Sequence, residues 1–516
     1  MLLSTLISGS QIEYTLISKK QRLGIYPIAN LEIEEIFLDS RKVVSNGLYI
    51  ALEGLHTDSH AYISDAISHG AVAAIVSESA VLDGRLDVEG IDIPLVAVKS
   101  CREAMAYIFA AWYDNPQRSM TFIGVTGTNG KTSVTRMIYE ILSRAGERCG
   151  LIGTAGNLIS DETEDERLQI KSANQLANMT TPDPEELYKI LKRMQTAGVK
   201  YVIMEVTSHS LALQKVAPID FEIGVFTNLT EDHLDFHLNM EEYYKAKRAL
   251  FSRCRKSVIN IDDRYGRRLC EELDSYRYTV SCEGRNSDFA ACDIRCHGED
   301  GMEYRLVSGR MRLRIRTRIP GAITVMNTLE AAAVASLLGI PPREIKDSIF
   351  SLSRIEGRLE RLKLSQRVGF SVYIDYAHTP DALENLLRTA RMLQRKGQRI
   401  VLVFGAGGDR EKQKRAMMGR IASSMADFFV ITSDNPRGEE PSDIISDIIS
   451  GATDDGQFTV IEDRERAIEY VIKGARAGDI ILLAGKGHEE YIIDKNGKRD
   501  FSERETVDRF VKRYYG

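Results

Sequence analysis

The segment Gly127–Ser133 is the feature that most constrains how this chain can fold. It reads Gly-Thr-Asn-Gly-Lys-Thr-Ser, follows the apolar run Phe122–Val125, and precedes a helical pattern over Val134–Leu142. A strand, a glycine turn and a helix start form a cradle for phosphate, because turn amides and a helix N-terminus attract anions. We therefore predict a phosphate-binding loop in which Lys131 reaches the outer phosphates and Thr132 binds Mg2+.

This loop departs from the general phosphate-loop pattern at one position. The pattern places a glycine five residues before Gly130, where this chain has Val125. An ordinary glycine turn before a helix is the alternative, and the Lys-Thr pair counts against it. The segment is therefore interpreted as a specialised phosphate-binding loop.

Composition narrows the class of protein. The chain has 516 residues, a net charge of −6 and seven cysteines without paired spacing. The length suggests about three domains, and the negative charge argues against a nucleic-acid partner. Scattered cysteines are typical of reduced thiols in the cytosol, and Cys292 and Cys296 lack a second pair that would complete a zinc site. Because no apolar run is long enough to span a bilayer, we expect a cytoplasmic protein without membrane insertion.

Alternating strand and helix patterns predict an α/β protein of three domains. Apolar runs such as Leu95–Val98, Tyr201–Glu205 and Ile400–Phe404 are read as strands. Residues 1–99 are expected to form a small α/β N-terminal domain. Residues 100–356 are expected to form a central P-loop ATPase domain with a mostly parallel sheet, and residues 357–516 a C-terminal Rossmann-like domain.

Two motifs suggest other readings that the residues do not favour. The turn Gly405–Gly408 looks like a dinucleotide-binding turn, but Arg410 stands where its last glycine would be, so an NAD site is not predicted. Arginines alternate with apolar residues over 312–319. This stripe could bind a polyanion, but its period of two favours the solvent face of a half-buried strand.

Side chains suited to a metal follow the phosphate loop. Glu205 ends an apolar strand pattern, so its carboxylate is expected at the sheet edge, where Mg2+ would find an oxygen ligand. His233 and His237 lie four residues apart with Asp235 between them. Alone, this spacing would also suit zinc; beside a phosphate loop we favour one histidine as a magnesium ligand, and a structural role for His237 stays open.

The next helix begins with a capping signature. Asn239 is expected as the N-cap, with Glu242 three residues later. Lys247 lies further along this helix, and by residue type alone it is a solvated helix lysine.

Together, the phosphate loop, Glu205–His209, Asp232–Asp235 and Ala246–Lys247 resemble the Mur ligase family. Its members are ATP-dependent enzymes that add amino acids to the peptidoglycan precursor. The resemblance covers nearly all of the chain after about residue 36. It implies that Lys247 is carbamylated and bridges to a second Mg2+. That chemistry is plausible, because nearby cations would lower the pKa of the amine and leave it able to capture CO2.

The resemblance also implies the roles of the central residues. The implied catalytic residues are Lys131, Glu205, His233 and Lys247. The implied metal ligands are Thr132, Glu205, His233 and the Lys247 carbamate. The implied ATP contacts are Gly127, Thr128, Asn129, Gly130, Lys131, Thr132, Ser133, Asn327, Arg358 and Asp375. ATP and Mg2+ are thus the expected cofactors.

A uridine-nucleotide site is implied by segments that resemble the branch adding the third residue. Its implied contacts are Leu38, Ser40, Leu55, His56, Thr57, Thr180, Thr181, Thr207 and Lys215. Such donors suit a diphosphate sugar, although each is also a common turn or capping residue. Leu213 and Lys215 stand where this branch usually has Gln and Arg. A lysine keeps the positive charge of an arginine but cannot form its bidentate hydrogen bonds.

The last domain points to the incoming amino acid. Its implied contacts are Arg410, Asp434, Asn435, Pro436, Arg437, Gly485 and Glu489. The run Asp434–Arg437 resembles that of enzymes adding meso-diaminopimelate, and Arg437 can clamp the extra distal carboxylate of that substrate. Lysine would leave this guanidinium unpaired and desolvated. A simple β-turn is the alternative for the motif alone.

The resemblance therefore implies an ATP-dependent amide-bond-forming ligase. It would add meso-2,6-diaminopimelate to the D-glutamate of UDP-N-acetylmuramoyl-L-alanyl-D-glutamate through an acyl phosphate. The expected partners are these two substrates, and the expected oligomeric state is a monomer. The alternatives are a lysine-adding homologue, a ligase similar to folylpolyglutamate synthase, and a non-catalytic sensor of cell-wall precursors.

Overall fold

The computed structural model describes residues 1–18, 28, 30–54, 57–154, 156–160, 179–274, 276–309, 311–364, 368–453 and 456–516. Over these ranges the chain builds three sheets in sequence, each covered by helices, and one separate hairpin. In the described ranges, no helix combines the length and the apolar character needed to cross a membrane. The expected mixture of strands and helices is therefore present in all three parts of the chain.

The first sheet lies in the N-terminal part and has five strands in the order β1-β5-β4-β3-β2. The strands are β1 (Thr15–Ile17), β2 (Glu35–Phe37), β3 (Gly47–Ile50), β4 (Ala71–Ser77) and β5 (Leu95–Val98). The helices are α1 (Leu3–Ser10), α2 (Ile63–His69), α3 (Glu78–Leu82) and α4 (Cys101–Trp112), with 3-10 turns at Ser40–Lys42 and Ser59–Tyr62. Among the described strands of this sheet, β1 runs antiparallel to β5 and the other pairs are parallel, and the inner strands β3, β4 and β5 are mostly apolar and almost wholly buried.

The second sheet has ten strands in the order β15-β14-β13-β12-β11-β10-β6-β9-β7-β8. The strands are β6 (Thr121–Thr126), β7 (Cys149–Ile152), β8 (Leu158–Ile159), β9 (Tyr201–Glu205), β10 (Phe221–Phe226), β11 (Cys254–Asn260), β12 (Tyr276–Ser281), β13 (Phe289–Cys296), β14 (Met302–Ser308) and β15 (Met311–Thr317). The helices are α5 (Lys131–Arg144), α6 (Pro184–Thr196), α7 (Ser208–Ala212), α8 (Leu234–His237), α9 (Met240–Arg248), α10 (Arg264–Glu272), α11 (Ala322–Leu337) and α12 (Pro342–Ser351). Three 3-10 turns accompany them at Pro116–Ser119, Phe251–Arg253 and Gly298–Asp300.

The order of these strands places the phosphate loop at the centre of the sheet. Strand β6 pairs in parallel with β10 on one side and β9 on the other. Val125 lies opposite Glu205, and Thr126 lies opposite Phe226. Because parallel strands end at the same sheet edge, the residues that follow β6, β9 and β10 meet there.

On one side of the second sheet, three antiparallel strands follow the parallel strands. Strands β13, β14 and β15 pair antiparallel, which the sequence patterns did not predict. The arginine stripe lies on β15, where Arg312, Arg314 and Arg316 are exposed and Ile315 is buried. The stripe is therefore the solvent face of a half-buried strand, as its period of two predicts.

The third sheet has six strands in the order β16-β17-β21-β18-β19-β20. The strands are β16 (Glu360–Arg361), β17 (Ser371–Asp375), β18 (Ile400–Phe404), β19 (Phe428–Ile431), β20 (Phe458–Val460) and β21 (Ile480–Ala484), and β22 (Tyr491–Asp494) pairs with β23 (Gly497–Asp500) as the separate hairpin. The helices are α13 (Pro380–Leu393), α14 (Gln413–Met425), α15 (Pro441–Ile449), α16 (Arg464–Lys473) and α17 (Glu503–Tyr515). Strands β17, β21, β18 and β19 are parallel, so the loops after them also share one edge.

Candidate active site

The phosphate loop has the geometry that its sequence predicts. Gly127 and Gly130 have φ values of 151° and 91°, in the region that only glycine adopts easily. Helix α5 begins at Lys131, whose Nζ donates to the carbonyls of Gly127 and Thr128 at 2.9 Å each. The loop thus closes on the lysine side chain at the N-terminus of a helix, which is where an anion binds.

Glu205 lies beside the loop and is held by hydroxyls. Its side chain is buried, and Oε2 accepts from Thr132 Oγ1 at 3.1 Å. Thr154 donates to the same carboxylate through its backbone N at 2.8 Å and its Oγ1 at 3.1 Å. Motif reasoning missed Thr154, although it lies two residues after the apolar strand β7, which is a position comparable to that of Glu205 at the end of β9.

Lys247 is buried, so the expectation from residue type, a solvated lysine, is wrong. Only 1% of the residue is exposed, and Nζ donates to the Gly127 carbonyl at 2.9 Å. Helix α9, capped by Asn239 as predicted, turns this lysine inward over the ring of Tyr243, 4.6 Å from its centroid. Desolvation, reinforced by the charge of Lys131, lowers the pKa of Lys247 well below its usual value. The amine is therefore biased toward its neutral form.

The two histidines have different surroundings. His233 has a φ of 57°, and desolvation lowers its pKa to about 3, against the opposing charge of Asp232. His237 Nε2 lies 2.8 Å from Ser208 Oγ, and its ring stacks on Tyr243. A neutral imidazole such as that of His233 can bind a metal. The ring of His237 instead contacts Ser208 and Tyr243.

The donors around the loop fit Mg2+. Thr132 and Glu205 supply oxygen atoms, which Mg2+ prefers, and they are already joined at 3.1 Å. His233 supplies a neutral nitrogen near the same loop. The neutral amine of Lys247 can take up CO2 to give a further oxygen ligand. The residues present therefore fit the expected metal.

Side chains from the C-terminal part reach the phosphate loop. Arg358 Nη2 donates to Thr132 Oγ1 at 3.0 Å, and Asn129 Nδ2 donates to Asp381 Oδ2 at 2.7 Å. Arg358 Nε is buried and has no hydrogen-bond partner within the described part of the chain, so a donor is left for a ligand anion. The second and third sheets thus meet at the edge that carries the loop.

The remaining predicted ATP contacts border this junction. Ser133 lies in the first turn of α5, and Asn327 is buried on α11 with its Oδ1 facing Gly130. Asp375 ends β17, and its carboxylate accepts from the backbone N of Leu359 at 2.6 Å and of Ala377 at 2.8 Å. Desolvation raises the pKa of Asp375, and Arg358 opposes the shift.

The residues predicted for the uridine-linked precursor fall into two groups. Leu38, the buried Ser40 and the exposed Thr57 lie in the N-terminal part, and within the described residues no hydrogen bond joins Ser40 or Thr57 to the phosphate loop. Leu55 and His56 lie outside the described residues. Among the described members of this group, Ser40 and Thr57 therefore make no hydrogen bond to the phosphate loop.

The second group adjoins Glu205. Thr181 Oγ1 donates to the Glu205 carbonyl at 2.9 Å, and Thr154 Oγ1 lies 3.1 Å from Thr180 Oγ1. Thr207 caps α7. The ammonium of Lys215 lies 2.7 Å from Asp183 Oδ1, so its charge is already paired.

The predicted amino-acid contacts meet at the edge of the third sheet. Lys486 Nζ donates to Asn435 Oδ1 and to Glu489 Oε2 at 3.0 Å each, and Asn435 Nδ2 donates to the same Glu489 oxygen at 2.9 Å. Burial of Asp434 is outweighed by the charges of Lys486 and Arg464, so the pKa of Asp434 is lowered. The motifs did not predict that Lys486 would link Asn435 to Glu489, although it lies inside the run that contains Gly485 and Glu489.

Arg437 is held in place by backbone carbonyls. It has a φ of 52°, and Nη1 donates to the Gly408 carbonyl at 2.8 Å and to that of Asn435 at 3.3 Å. A side chain at Gly407 would collide with this guanidinium. Arg410 is exposed and also borders Gly407, whereas Pro436 lies in the same turn as Arg437. Two guanidiniums therefore border the glycine-rich loop.

Known proteins resemble the chain in all three parts. Residues 32–113 match the catalytic domain of the Mur ligase family, 125–335 the Mur ligase middle domain, and 357–487 the glutamate ligase domain of Mur ligases. A relative from Clostridium tetani, named UDP-N-acetylmuramoyl-L-alanyl-D-glutamate–2,6-diaminopimelate ligase, is 40% identical over 94% of this chain and 96% of its own.

Solved structures have the same architecture. One titled as a UDP-N-acetylmuramoyl-L-alanyl-D-glutamate–2,6-diaminopimelate ligase superposes with a TM-score of 0.63 and 27% identity, over 97% of this chain and 100% of that one. The Mycobacterium tuberculosis folylpolyglutamate synthase complexed with ADP and AMPPCP has a TM-score of 0.60 at 18% identity, over 74% and 92%, which is a likeness of fold.

The chain belongs to the Mur ligase family. The family and the three-part α/β fold predicted from the motifs are both confirmed. Members of this family are ATP-dependent enzymes that form amide bonds, which agrees with a phosphate loop at the centre of the second sheet.

Proposed function

We propose that this chain is the ligase that adds meso-2,6-diaminopimelate to the D-glutamate of UDP-N-acetylmuramoyl-L-alanyl-D-glutamate. The observation that carries the proposal is the juxtaposition of two sites, a phosphate loop and a pocket with both carboxylates and guanidiniums, at facing sheet edges. The activity in the name of the 40% identical relative is the one that the motifs imply.

The reaction needs two transfers and no protein nucleophile. The side-chain carboxylate of the D-glutamate attacks the γ-phosphorus of ATP, which forms an acyl phosphate and releases ADP. The amine of diaminopimelate then attacks the acyl carbon, loses a proton and expels phosphate. The protein therefore acts by positioning the reactants and neutralising charge, for which Lys131 and Arg358 are placed.

Metal binding is assigned to Thr132, Glu205, His233 and carbamylated Lys247. Mg2+ bound there would neutralise charge on the phosphate oxygens. Thr154 keeps the Glu205 carboxylate in position by two hydrogen bonds. The neutral amine of Lys247 is available to react with CO2 because its pKa is lowered. ATP contacts are assigned to residues 127–133, Asn327, Arg358 and Asp375.

The amino-acid pocket is matched to a zwitterionic end group. Asp434 and Glu489 would face the distal ammonium of diaminopimelate, and Arg437 with Arg410 would clamp its distal carboxylate. Asn435 and Pro436 lie in the turn that carries Arg437, and Gly485, with a φ of 115°, begins the loop after β21 that carries Glu489. Lysine has no distal carboxylate and would leave the guanidiniums without an anion, which is why we favour diaminopimelate.

The precursor would lie across the first two parts of the chain. We assign residues 1–99 to the uridine-linked end, residues 100–356 to ATP and residues 357–516 to the amino acid. Ser40, Thr57, Thr180, Thr181, Thr207 and Lys215 are the precursor contacts in the described ranges. The pair formed by Lys215 and Asp183 would have to accommodate the precursor, because the ammonium has a partner already.

The cellular setting is also a proposal. We infer a cytoplasmic monomer that neither binds nucleic acid nor inserts into a membrane. Seven free cysteines suit a reducing compartment, and the net charge of −6 disfavours a polyanionic partner.

The direct test is ADP release by the purified protein. With ATP, Mg2+ and the UDP-muramoyl dipeptide, we expect sustained, multiple-turnover ADP release only when diaminopimelate is added, because without it the reaction stops at the acyl phosphate. Release with a folate and glutamate instead would favour the folylpolyglutamate-synthase alternative. Binding of ATP and precursor without turnover would favour the sensor, and turnover with lysine but not diaminopimelate would favour the lysine-adding homologue.

A further inference from the structure

Tyr376 lies at the junction between the phosphate site and the amino-acid pocket. It directly follows Asp375 at the end of β17, and its backbone N donates to the Gly357 carbonyl at 3.0 Å. Its ring centroid is 4.6 Å from that of His378 and 5.3 Å from that of His488. The ring therefore has a fixed place between two loops.

One face of Tyr376 supports Arg358. The guanidinium carbon of Arg358 lies 4.8 Å from the ring centroid, within the range of a cation–π contact. The same guanidinium donates to Thr132 Oγ1 at 3.0 Å, and its buried Nε has no hydrogen-bond partner among the described residues. The ring thus packs against an arginine that already contacts the phosphate loop and keeps a buried donor available for a ligand.

The hydroxyl of Tyr376 reaches the other site. It donates to Glu489 Oε1 at 3.4 Å, while Glu489 Oε2 accepts from Asn435 and Lys486. Burial, with the charge of Glu489, raises the pKa of the Tyr376 phenol, so the hydroxyl keeps the proton that it donates. Tyr491 is a second phenol beside the same carboxylate.

We propose that Tyr376 is a positioning residue that serves both substrates through separate atoms. Its ring orients Arg358 toward ATP, and its hydroxyl orients Glu489 toward the ammonium of the incoming amino acid. The inference rests on the proposed function, because it takes the ligand of each side from there. The proposal adds Tyr376 to the residues of both sites. Its hydroxyl contact can be removed alone or together with its ring contact.

The separate contacts give separate kinetic signatures. Tyr376→Phe removes only the hydroxyl, so KM for diaminopimelate should rise about three- to tenfold, the effect of one typical hydrogen bond, because the contact with Glu489 is long at 3.4 Å. KM for ATP should stay within about twofold, because the ring remains under Arg358. Tyr376→Leu removes the ring as well and should also raise KM for ATP.

A double-mutant cycle ties the effect to Glu489. In a Glu489→Gln background, Tyr376→Phe should add little to KM for diaminopimelate, since the carboxylate that it orients is already gone. Tyr373→Phe is the matched control: it lies on β17, three positions before Tyr376, and its hydroxyl donates to Glu299 at 3.3 Å. The control should change neither KM.

Clear results would overturn the proposal. Equal KM values for diaminopimelate in wild type and Tyr376→Phe would contradict it, as would a parallel rise in both KM values or full additivity with Glu489→Gln. Wild-type ADP release decides the proposed function independently. A wild type that turns over diaminopimelate while the variant shows no selective effect would refute the role of Tyr376 alone.

Discussion

The phosphate site and the amino-acid pocket both contain buried lysines, but they handle the charge differently. Among the described residues, Lys131 and Lys247 donate hydrogen bonds to backbone carbonyls, with Gly127 shared between them. Lys486 instead contacts Glu489 and an amide oxygen. The charges of Lys486 and Arg464 in the second site lower the pKa of Asp434 against its burial, whereas desolvation, reinforced by the charge of Lys131, lowers the pKa of Lys247 in the first.

This difference matches the ligands that we propose. Lys131, which donates to backbone carbonyls, and Arg358, which donates to Thr132, supply positive charge beside the loop, and this suits the phosphates of ATP. A pocket that already balances carboxylates with cations suits an end group that carries both an ammonium and a carboxylate. The first site should therefore govern turnover, and the second should govern the choice of amino acid.

Lys247 offers the largest expected effect. Lys247→Met should reduce ADP release on the order of 10²–10³-fold, because it removes a charged group at the site of phosphoryl transfer. The neighbouring Lys245, exposed and paired with Glu242, is the control, and Lys245→Met should retain wild-type turnover. Depletion of CO2 should lower wild-type activity reversibly. Near-normal turnover in Lys247→Met would refute the assigned role.

Arg437 should have the next largest effect, and it should be confined to the amino acid. Arg437→Ala should raise KM for diaminopimelate about 10²-fold, the size expected for loss of a buried charge pair, and narrow the preference over lysine. Arg499, which is exposed on the nearby hairpin, provides the control variant Arg499→Ala. An unchanged ratio of kcat/KM between the two amino acids would remove the argument for specificity.

The smallest effect concerns stability rather than turnover. Desolvation lowers the pKa of His237 to about 4, below about 6.5 for an unfolded chain. Between these two values the unfolded state binds more protons than the folded state. The free energy of unfolding should therefore be highest above pH 6.5, where neutral His237 costs nothing, and should fall as the pH is lowered toward 4. His237→Gln should flatten this fall, measured by thermal melting across that range. An identical pH profile in wild type and variant would contradict the assignment.

The sequence predicted the phosphate site better than the amino-acid pocket for a physical reason. Glu205 could be predicted because its strand is a continuous apolar run, and parallel strands end at one edge. The strands Leu95–Val98, Tyr201–Glu205 and Ile400–Phe404 have the predicted bounds. These features depend on local patterns, which a sequence displays directly.

Contacts between distant loops were not predictable in this way. Lys486 meets Asn435 across 51 positions of the chain, and no local pattern reports that distance. The burial of Lys247 depends on how α9 packs over the phosphate loop, whereas its own helix looks polar. The antiparallel pairing of β13, β14 and β15 was likewise not predicted, although the alternation over 312–319 did predict a half-buried strand there.

The central claim is that the carboxylates and cations of the amino-acid pocket together bind a zwitterionic end group. The pocket thereby selects diaminopimelate for the second step of an ATP-dependent reaction. The most direct test is a competition with equal concentrations of meso-diaminopimelate and L-lysine, with ATP, Mg2+ and the UDP-muramoyl dipeptide present. Mass spectrometry of the nucleotide product should show the tripeptide that contains diaminopimelate as the dominant species. A product dominated by lysine, or the absence of any tripeptide, would contradict the account.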